Sequence, residues 1–256
     1  MEYLVTGIVS FIASGLTLFS GFGLGTLLMP VFTFFFPVNV AVALTAIVHF
    51  LNNLFKLALL GRHADKAAVV RFGFPAVGAA FLGARTLVWL SGMEPLSRYS
   101  VGGLAFSIEP VKLVISFLMV FFALAEMVPG ERKMSFDAKY LSLGGLLSGF
   151  FGGLTGHQGA LRSAFLIRYG LSKEAFIATG VVIACLVDFT RLSVYGTHLA
   201  SSGSGNYLLL ATATFSAFLG AFLGKRLLRK VTLRGVQMLV AVMLFVIALA
   251  LGAGLI

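Results

Sequence analysis

Three groups of residues in this chain have the types and spacing to do chemistry. His49, Asn52, Asn53 and Lys56 fall at i, i+3, i+4 and i+7, which is one face of a helix. Asp188 and Arg191 stand at i and i+3, with Ala184 and Tyr195 on the same stripe. Between these groups runs Gly149-Phe-Phe-Gly-Gly-Leu-Thr-Gly-His-Gln-Gly-Ala-Leu-Arg162, inside an apolar stretch from Tyr140 to Ile167. Five glycines, His157, Gln158 and Arg162 sit where a helix crossing lipid should be plain. Glycine weakens a helix by about 1 kcal/mol relative to alanine. In hydrocarbon, broken backbone survives only where protein or a water-filled cavity covers it. A charge at that depth is costly and needs a partner or a ligand. The stretch therefore reads as the tip of a helical hairpin that stops inside the membrane. A helix start there offers free N–H groups and a positive dipole end, which together suit an anion.

Each residue also has a structural reading. Lys56 and Arg191 lie near loops and could snorkel. Asp188 could neutralise Arg191, or titrate and couple proton flow. His49 could be a hydrogen-bonded packing residue. Arg162 could pair with Asp188 and staple two segments together. Arg71, Arg85, Glu109, Lys112 and Glu126 lie near segment ends and read mostly as interfacial anchors.

The elements that must position these residues are membrane helices. The chain of 256 residues is 59% hydrophobic and 11% charged, where a soluble domain carries about 25% charged residues. The net charge of +10 comes mostly from short loops, so it reads as topology signal and headgroup contact rather than nucleic-acid binding. A single cysteine, Cys185, excludes an internal disulfide framework and a multi-cysteine metal site. No Lys or Arg precedes Lys56, so the first apolar run lacks the basic start of a secretory signal and is expected in the mature protein. Nucleotide-loop, zinc-protease, nucleophile-elbow and CxxC patterns are absent, and no cofactor is expected.

About 20 residues of helix span a bilayer core. Residues 38–60, 67–90, 108–128, 174–195, 207–228 and 236–256 fit one crossing each. Residues 3–36 and 140–169 are too long for one upright helix, and glycines break each at its centre. The chain also repeats itself. Ser14-Gly15 and Gly25 match Ser148-Gly149 and Gly159. Asn53-Leu-Phe-Lys56 matches Asp188-Phe-Thr-Arg191, and Ala80-Phe-Leu-Gly-Ala84 recurs as Ala217-Phe-Leu-Gly-Ala221. The expected organisation is repeat 1 over 1–128, a linker over 129–139 and repeat 2 over 140–256.

Basic residues set the sides. Arg62, Lys66 and Arg71 mark the loop after the second segment of repeat 1, whereas its counterpart, 196–206, has no Lys or Arg. Arg168 and Lys173 follow the second hairpin, and no basic residue follows the first. The stretch 91–107 has Arg98 alone, against Lys225, Arg226, Arg229, Lys230 and Arg234 in its counterpart. Matched loops are opposite in charge, so the expected fold is an all-α polytopic membrane protein of two inverted-topology repeats. Each repeat is a glycine-broken hairpin followed by three transmembrane helices, and both termini are extracytoplasmic. The linker, with Arg132, Lys133 and Lys139, is cytoplasmic by the same rule.

Inverted repeats bring two broken-helix ends together near the midplane, an arrangement used by secondary transporters of anions. The expected substrate-binding set is Gly23, Gly25 and Thr26 at the first tip, His49, Asn52 and Asn53 on the helix after it, and Gly156, His157, Gln158, Gly159 and Arg162 at the second tip. Lys56, Asp188 and Arg191 are the expected coupling or gating residues, and proton coupling through His157, His49 or Asp188 fits the residue types.

Gly21-Phe-Gly-Leu-Gly-Thr-Leu-Leu-Met-Pro30 resembles the glycine-rich, proline-ended signature of the sulfite exporter TauE/SafE family, the four-toluene-sulfonate uptake permeases. Gly153-Leu-Thr-Gly-His-Gln-Gly-Ala-Leu-Arg162 is similar to its second copy, with His157-Gln158 in place of frequent glycines and Ala164 where the first copy has Pro30. The resemblance implies a multi-pass carrier of the bacterial inner membrane for sulfite, organosulfonates or related small anions. It implies no nucleotide-driven motor. Sulfite export by alternating access is the leading expectation, with an importer or channel as the alternative. An intramembrane enzyme using His157 and Asp188 as acid and base, and an inert scaffold, are the readings from other classes. A homodimer is compatible with all of these.

Overall fold

Glycine decides where the helices of this chain break and how closely they pack. The computed structural model describes residues 2–20, 24–127, 135–202, 207–227 and 233–256. Helices α1 (Glu2–Ser20) and α2 (Leu24–Thr33) are separated by residues outside that description. Helix α3 runs Val38–Leu60. A short turn leads to α4 (Lys66–Ala68), a wide helical turn over Val69–Gly73 and α5 (Phe74–Ser91). Helix α6 spans Pro110–Met127. Helices α7 (Leu141–Thr155) and α8 (Gly159–Leu166) are followed by α9 (Lys173–Ser202), α10 (Tyr207–Leu227) and α11 (Leu233–Gly252). Among the described residues, three helical stretches are long and apolar enough to cross a membrane: Val38–His63, Lys66–Ser91 and Lys173–Gly196.

The helices pair as α1 with α10, α5 with α7, α3 with α9, and α6 with α11. The α5–α7 contact shows how. Gly145, Gly149 and Gly153 line one face of α7, and a methyl group at each would lie 2.2, 2.2 and 2.1 Å from the carbonyl oxygens of Phe72, Ala76 and Ala80. Backbone therefore meets backbone along the seam, the small-residue packing that membrane helices use where no hydrophobic force joins them. Gly220 of α10 meets the Phe11 carbonyl of α1 in the same way. A sharp contrast follows. Gly149→Ala should lower stability by about 1–3 kcal/mol through overpacking. Gly78→Ala, where nothing lies within 4 Å, should raise it by up to about 1 kcal/mol through helix propensity. Thermal midpoints in detergent read both, and equal midpoints for the two variants would contradict this seam.

The wide turn before α5 has a cause in sequence. Pro75 has no N–H to give the carbonyl four residues back and its ring crowds that group. The carbonyl is that of Arg71, and Ser142 Oγ donates to it at 3.2 Å. The second broken segment returns to where it started. Phe136, ahead of α7, donates its N–H to the Ala164 carbonyl at 3.1 Å. Its ring stacks on Phe165 at 4.3 Å, and Arg168 lies 3.8 Å from Asp137.

Two stretches differ from the sequence expectation. The loose stretch after α5 contains an antiparallel hairpin, β1 (Ser97–Val101) and β2 (Leu104–Ile108), in register Ser97↔Ile108. Gly102 and Gly103 turn it with φ of 59° and 83°, the left-handed pair that a tight hairpin requires. Helix α9 continues to Ser202, past Gly196 where a loop was expected. One glycine costs a helix only about 1 kcal/mol, and no proline follows to stop it.

Candidate functional site

Asp188 is the hub of the buried polar network. It is fully buried on α9, as is Arg191 one turn on. Arg191 donates through Nε at 3.0 Å and places Nη2 2.8 Å from the same oxygen, Oδ1. Gln158 Nε2 also donates to Oδ1, at 3.2 Å. The other oxygen, Oδ2, lies 2.6 Å from His49 Nδ1 and 3.4 Å from Asn53 Nδ2. The carboxylate thus joins α3, α9 and the break between α7 and α8. A buried ion is tolerated when its lone pairs are satisfied in this way.

The break itself is built around Gly156. It ends α7 with φ of 86°, a left-handed conformation that side chains rarely adopt. A methyl group there would also meet Arg191 Nη1 at 2.8 Å. The turn is then tied down from several sides. Ser148 Oγ donates to the Gln158 carbonyl at 3.0 Å, and the Tyr195 hydroxyl donates to the Gly153 carbonyl. His157 lies 3.0 Å from Thr155 Oγ1 through Nδ1, and its ring stacks flat on Phe122 at 5.3 Å. Helix α8 starts at Gly159, and Gln158 caps it without a side-chain hydrogen bond. Its first N–H groups have no partner within the helix.

The two tips meet. A methyl group on Gly25, at the start of α2, would lie 3.5 Å from the Gly156 carbonyl oxygen and 3.4 Å from Thr45 Cγ2 of α3. Buried polar atoms lack partners among the described residues: Thr45 Oγ1, His157 Nε2 and Arg191 Nη1 at this meeting point, and Asn52 Nδ2 further along α3. Leaving such a group unsatisfied costs about 1–3 kcal/mol. The asparagine and arginine nitrogens can only donate, so what they lack is an acceptor.

Charge points the same way. Lys56 is buried on α3, Arg191 is fully buried, and Asp188 is the buried carboxylate among the described residues. Arg162 is half-buried, reaches Gln158 Oε1 through Nη1 at 3.3 Å, and rests its Nε 3.3 Å from where a methyl on Gly180 would be. Asp188 pairs with Arg191 and His49, and it forms no ion pair with Arg162 or Lys56. Arg162 and Arg191 against Asp188 leave positive charge in excess of negative at the turn between α7 and α8.

Of the residues expected from sequence, His49, Asn53, Gln158, Asp188 and Arg191 are in direct contact. Asn52 accepts from Ser14 Oγ of α1 at 3.1 Å. Gly25, Gly156, His157 and Gly159 form the two tips, with Arg162 a turn inside α8. Lys56 stands apart from the Asp188 hub. Thr26 lies in α2, and Gly23 falls outside the described residues. His157 and Asp188, which an acid–base pair would hold together, have different partners. No group of His, Cys, Asp or Glu that could hold a metal occurs among the described residues. The sequence reading did not single out Thr45, Thr155, Phe122 or Gly180. Thr45 had a signal, since it stands four residues before His49 on the same stripe.

No curated protein matches this chain. The family model described as sulfite exporter TauE/SafE matches residues 6–251, nearly the whole chain and both broken-helix tips. The glycine-broken helices, the buried cations and that match lead to one conclusion: this membrane protein belongs to the sulfite exporter TauE/SafE family of transporters.

Proposed function

We propose that the chain is a secondary transporter that exports sulfite, or a closely related small sulfur oxyanion, across the bacterial inner membrane by alternating access. One observation carries the reading. A buried donor without an acceptor, Arg191 Nη1, lies against Gly156, and the unpartnered Thr45 Oγ1 and His157 Nε2 belong to residues at the same place, where the start of α2 meets the turn between α7 and α8. An anion with several oxygens fills such a site by geometry as well as charge. The helix start at Gly159 adds a positive dipole end.

The packing supports two inverted halves. Under the sequence repeat, the pair α1–α10 maps onto α7–α5, while α3–α9 and α6–α11 map onto themselves. A two-fold relation between halves has this pattern. Rocking of the halves about the tips would then expose the site to each side in turn.

Two outcomes are expected. Purified protein in liposomes should move sulfite, with small oxyanions competing and amines and sugars not competing. Equal transport of amines or sugars would remove the anion reading. Cysteines placed at Ser202 and at Arg132, the latter outside the described residues, should react with impermeant reagents from opposite sides, Ser202 from outside. Reaction of both from one side would remove the inverted arrangement.

A further inference from the structure

Helix α1 carries a row of hydroxyls on its buried side. Thr6, Ser10 and Ser14 stand four residues apart, which puts them on one face of the helix. All three are fully buried, whereas Leu4, Ile8 and Ile12 on the far side are exposed. The seam with α10 lies beside the row and not on it. There a methyl on Gly7 would meet Ser216 Oγ at 3.3 Å, and Gly220 rides on the Phe11 carbonyl.

The hydroxyls of Thr6 and Ser10 have no partner among the described residues. A serine or threonine inside a helix can bond back to its own backbone. Thr86, Ser91, Thr155, Thr190 and Thr212 all do so, each on the carbonyl four residues before. The inner end of the row is a separate sign of a missing partner. Ser14 Oγ donates to Asn52 Oδ1 at 3.1 Å. The other end of that amide, Asn52 Nδ2, is a buried donor without an acceptor among the described residues.

The repeat does not require a hydroxyl at Ser10. Its counterpart is Gly144, one turn before Ser148, and a methyl there would lie 2.4 Å from the Phe165 ring. That ring stacks on Phe136. The same place is filled by an aromatic ring in one half and carries a free hydroxyl in the other.

We infer that Thr6, Ser10, Ser14 and Asn52 line the outer half of the anion's path, between the outer membrane surface and the tips. The inference rests on the anion-transport reading and its sidedness, and adds a route. Helix rise places Thr6 about 6 Å and Ser14 about 18 Å along α1 from Glu2, so the row runs from near the surface to the middle of a core about 30 Å thick. Hydroxyls and an amide N–H can donate to an anion's oxygens. The row contains no Lys or Arg, so it holds the anion weakly enough to release it. All four side chains are buried, so the route is closed in this structure. Rocking of the halves opens it to the outside.

The test separates a path from packing. Thr6→Val keeps the shape and removes the hydroxyl, and Ser10→Ala removes one oxygen. An unpartnered buried hydroxyl costs stability, so the double variant should raise the thermal midpoint in detergent by about 2–4 °C. Sulfite counterflow in liposomes should meanwhile fall about 10-fold. A lower midpoint, or wild-type transport, overturns the path. Access is read without transport. Ser10→Cys in a Cys185→Ala background, in right-side-out vesicles, should react with a small impermeant thiol reagent added outside, and sulfite should slow the reaction. No reaction, or reaction from the inside alone, overturns the path and leaves the transport reading standing. A wild type that exchanges no sulfite overturns the transport reading and the anion's path with it, even where Ser10→Cys reacts from outside.

Discussion

Arg191→Gln should leave little folded protein in the membrane, and adding Asp188→Asn should restore much of it. Arg191 supplies two of the contacts on Asp188 Oδ1, at 3.0 and 2.8 Å, in a place neither residue shares with solvent. Removing one partner of a buried pair costs about 3–5 kcal/mol, because the remaining charge is uncompensated. A typical domain has only about 5–15 kcal/mol in total. Removing both charges leaves two amides that can bond to each other and to Gln158, so folding should recover. Transport should not recover, because the Nη1 group facing Gly156 is gone. Size-exclusion profiles and thermal midpoints read the first part, and sulfite uptake reads the second. An Arg191→Gln protein with a wild-type midpoint would mean that Asp188 does not depend on its arginine. A double variant with wild-type transport would mean that Arg191 serves folding alone.

Arg162→Lys should fold normally and lose about 10- to 100-fold in transport, since hydrogen bonds to charged groups are worth about 1.5–3 kcal/mol. Arg162 sits one turn inside α8 and spends one donor on Gln158 Oε1. Its remaining donors form a fork that matches two oxygens of one anion, and a lysine ammonium does not reproduce that geometry. The competing role is a staple between α8 and α9, for which charge alone is enough. The structure gives Asp188 to Arg191 and His49 instead. A purely structural Arg162 predicts near-normal transport by Arg162→Lys, and that result would move the anion clamp elsewhere in the site.

Sequence made the break between α7 and α8 legible because each residue involved carries its own local signal. Glycine clusters inside apolar runs, polar residues at helical spacing and basic residues in alternating loops can all be read without knowing what packs on what. Contacts across the molecule could not be read in that way. The spacing of Gly145, Gly149 and Gly153 is plain in the sequence, but not that it rides on the carbonyls of Phe72, Ala76 and Ala80. His49 and Asp188 were both candidates, yet their 2.6 Å contact depends on α3 lying against α9. Thr45 escaped notice because a threonine in a membrane helix usually bonds back to its own backbone. Its unmet hydroxyl shows only once Gly25 is placed beside it. The β-hairpin was hidden by the same apolar bias that made the helices obvious, although Gly102-Gly103 is itself a turn signal.

Counterflow tests most directly the proposed carrier site for a small sulfur oxyanion where α2 meets the turn between α7 and α8. Liposomes containing the purified protein are loaded with unlabelled sulfite and diluted into a trace of labelled sulfite, with protein-free vesicles as background. A carrier whose site faces one side at a time exchanges label inward against the outflow, so label should rise transiently above its equilibrium level and then decay. Label that merely equilibrates without an overshoot, or never exceeds the protein-free background, would contradict the account.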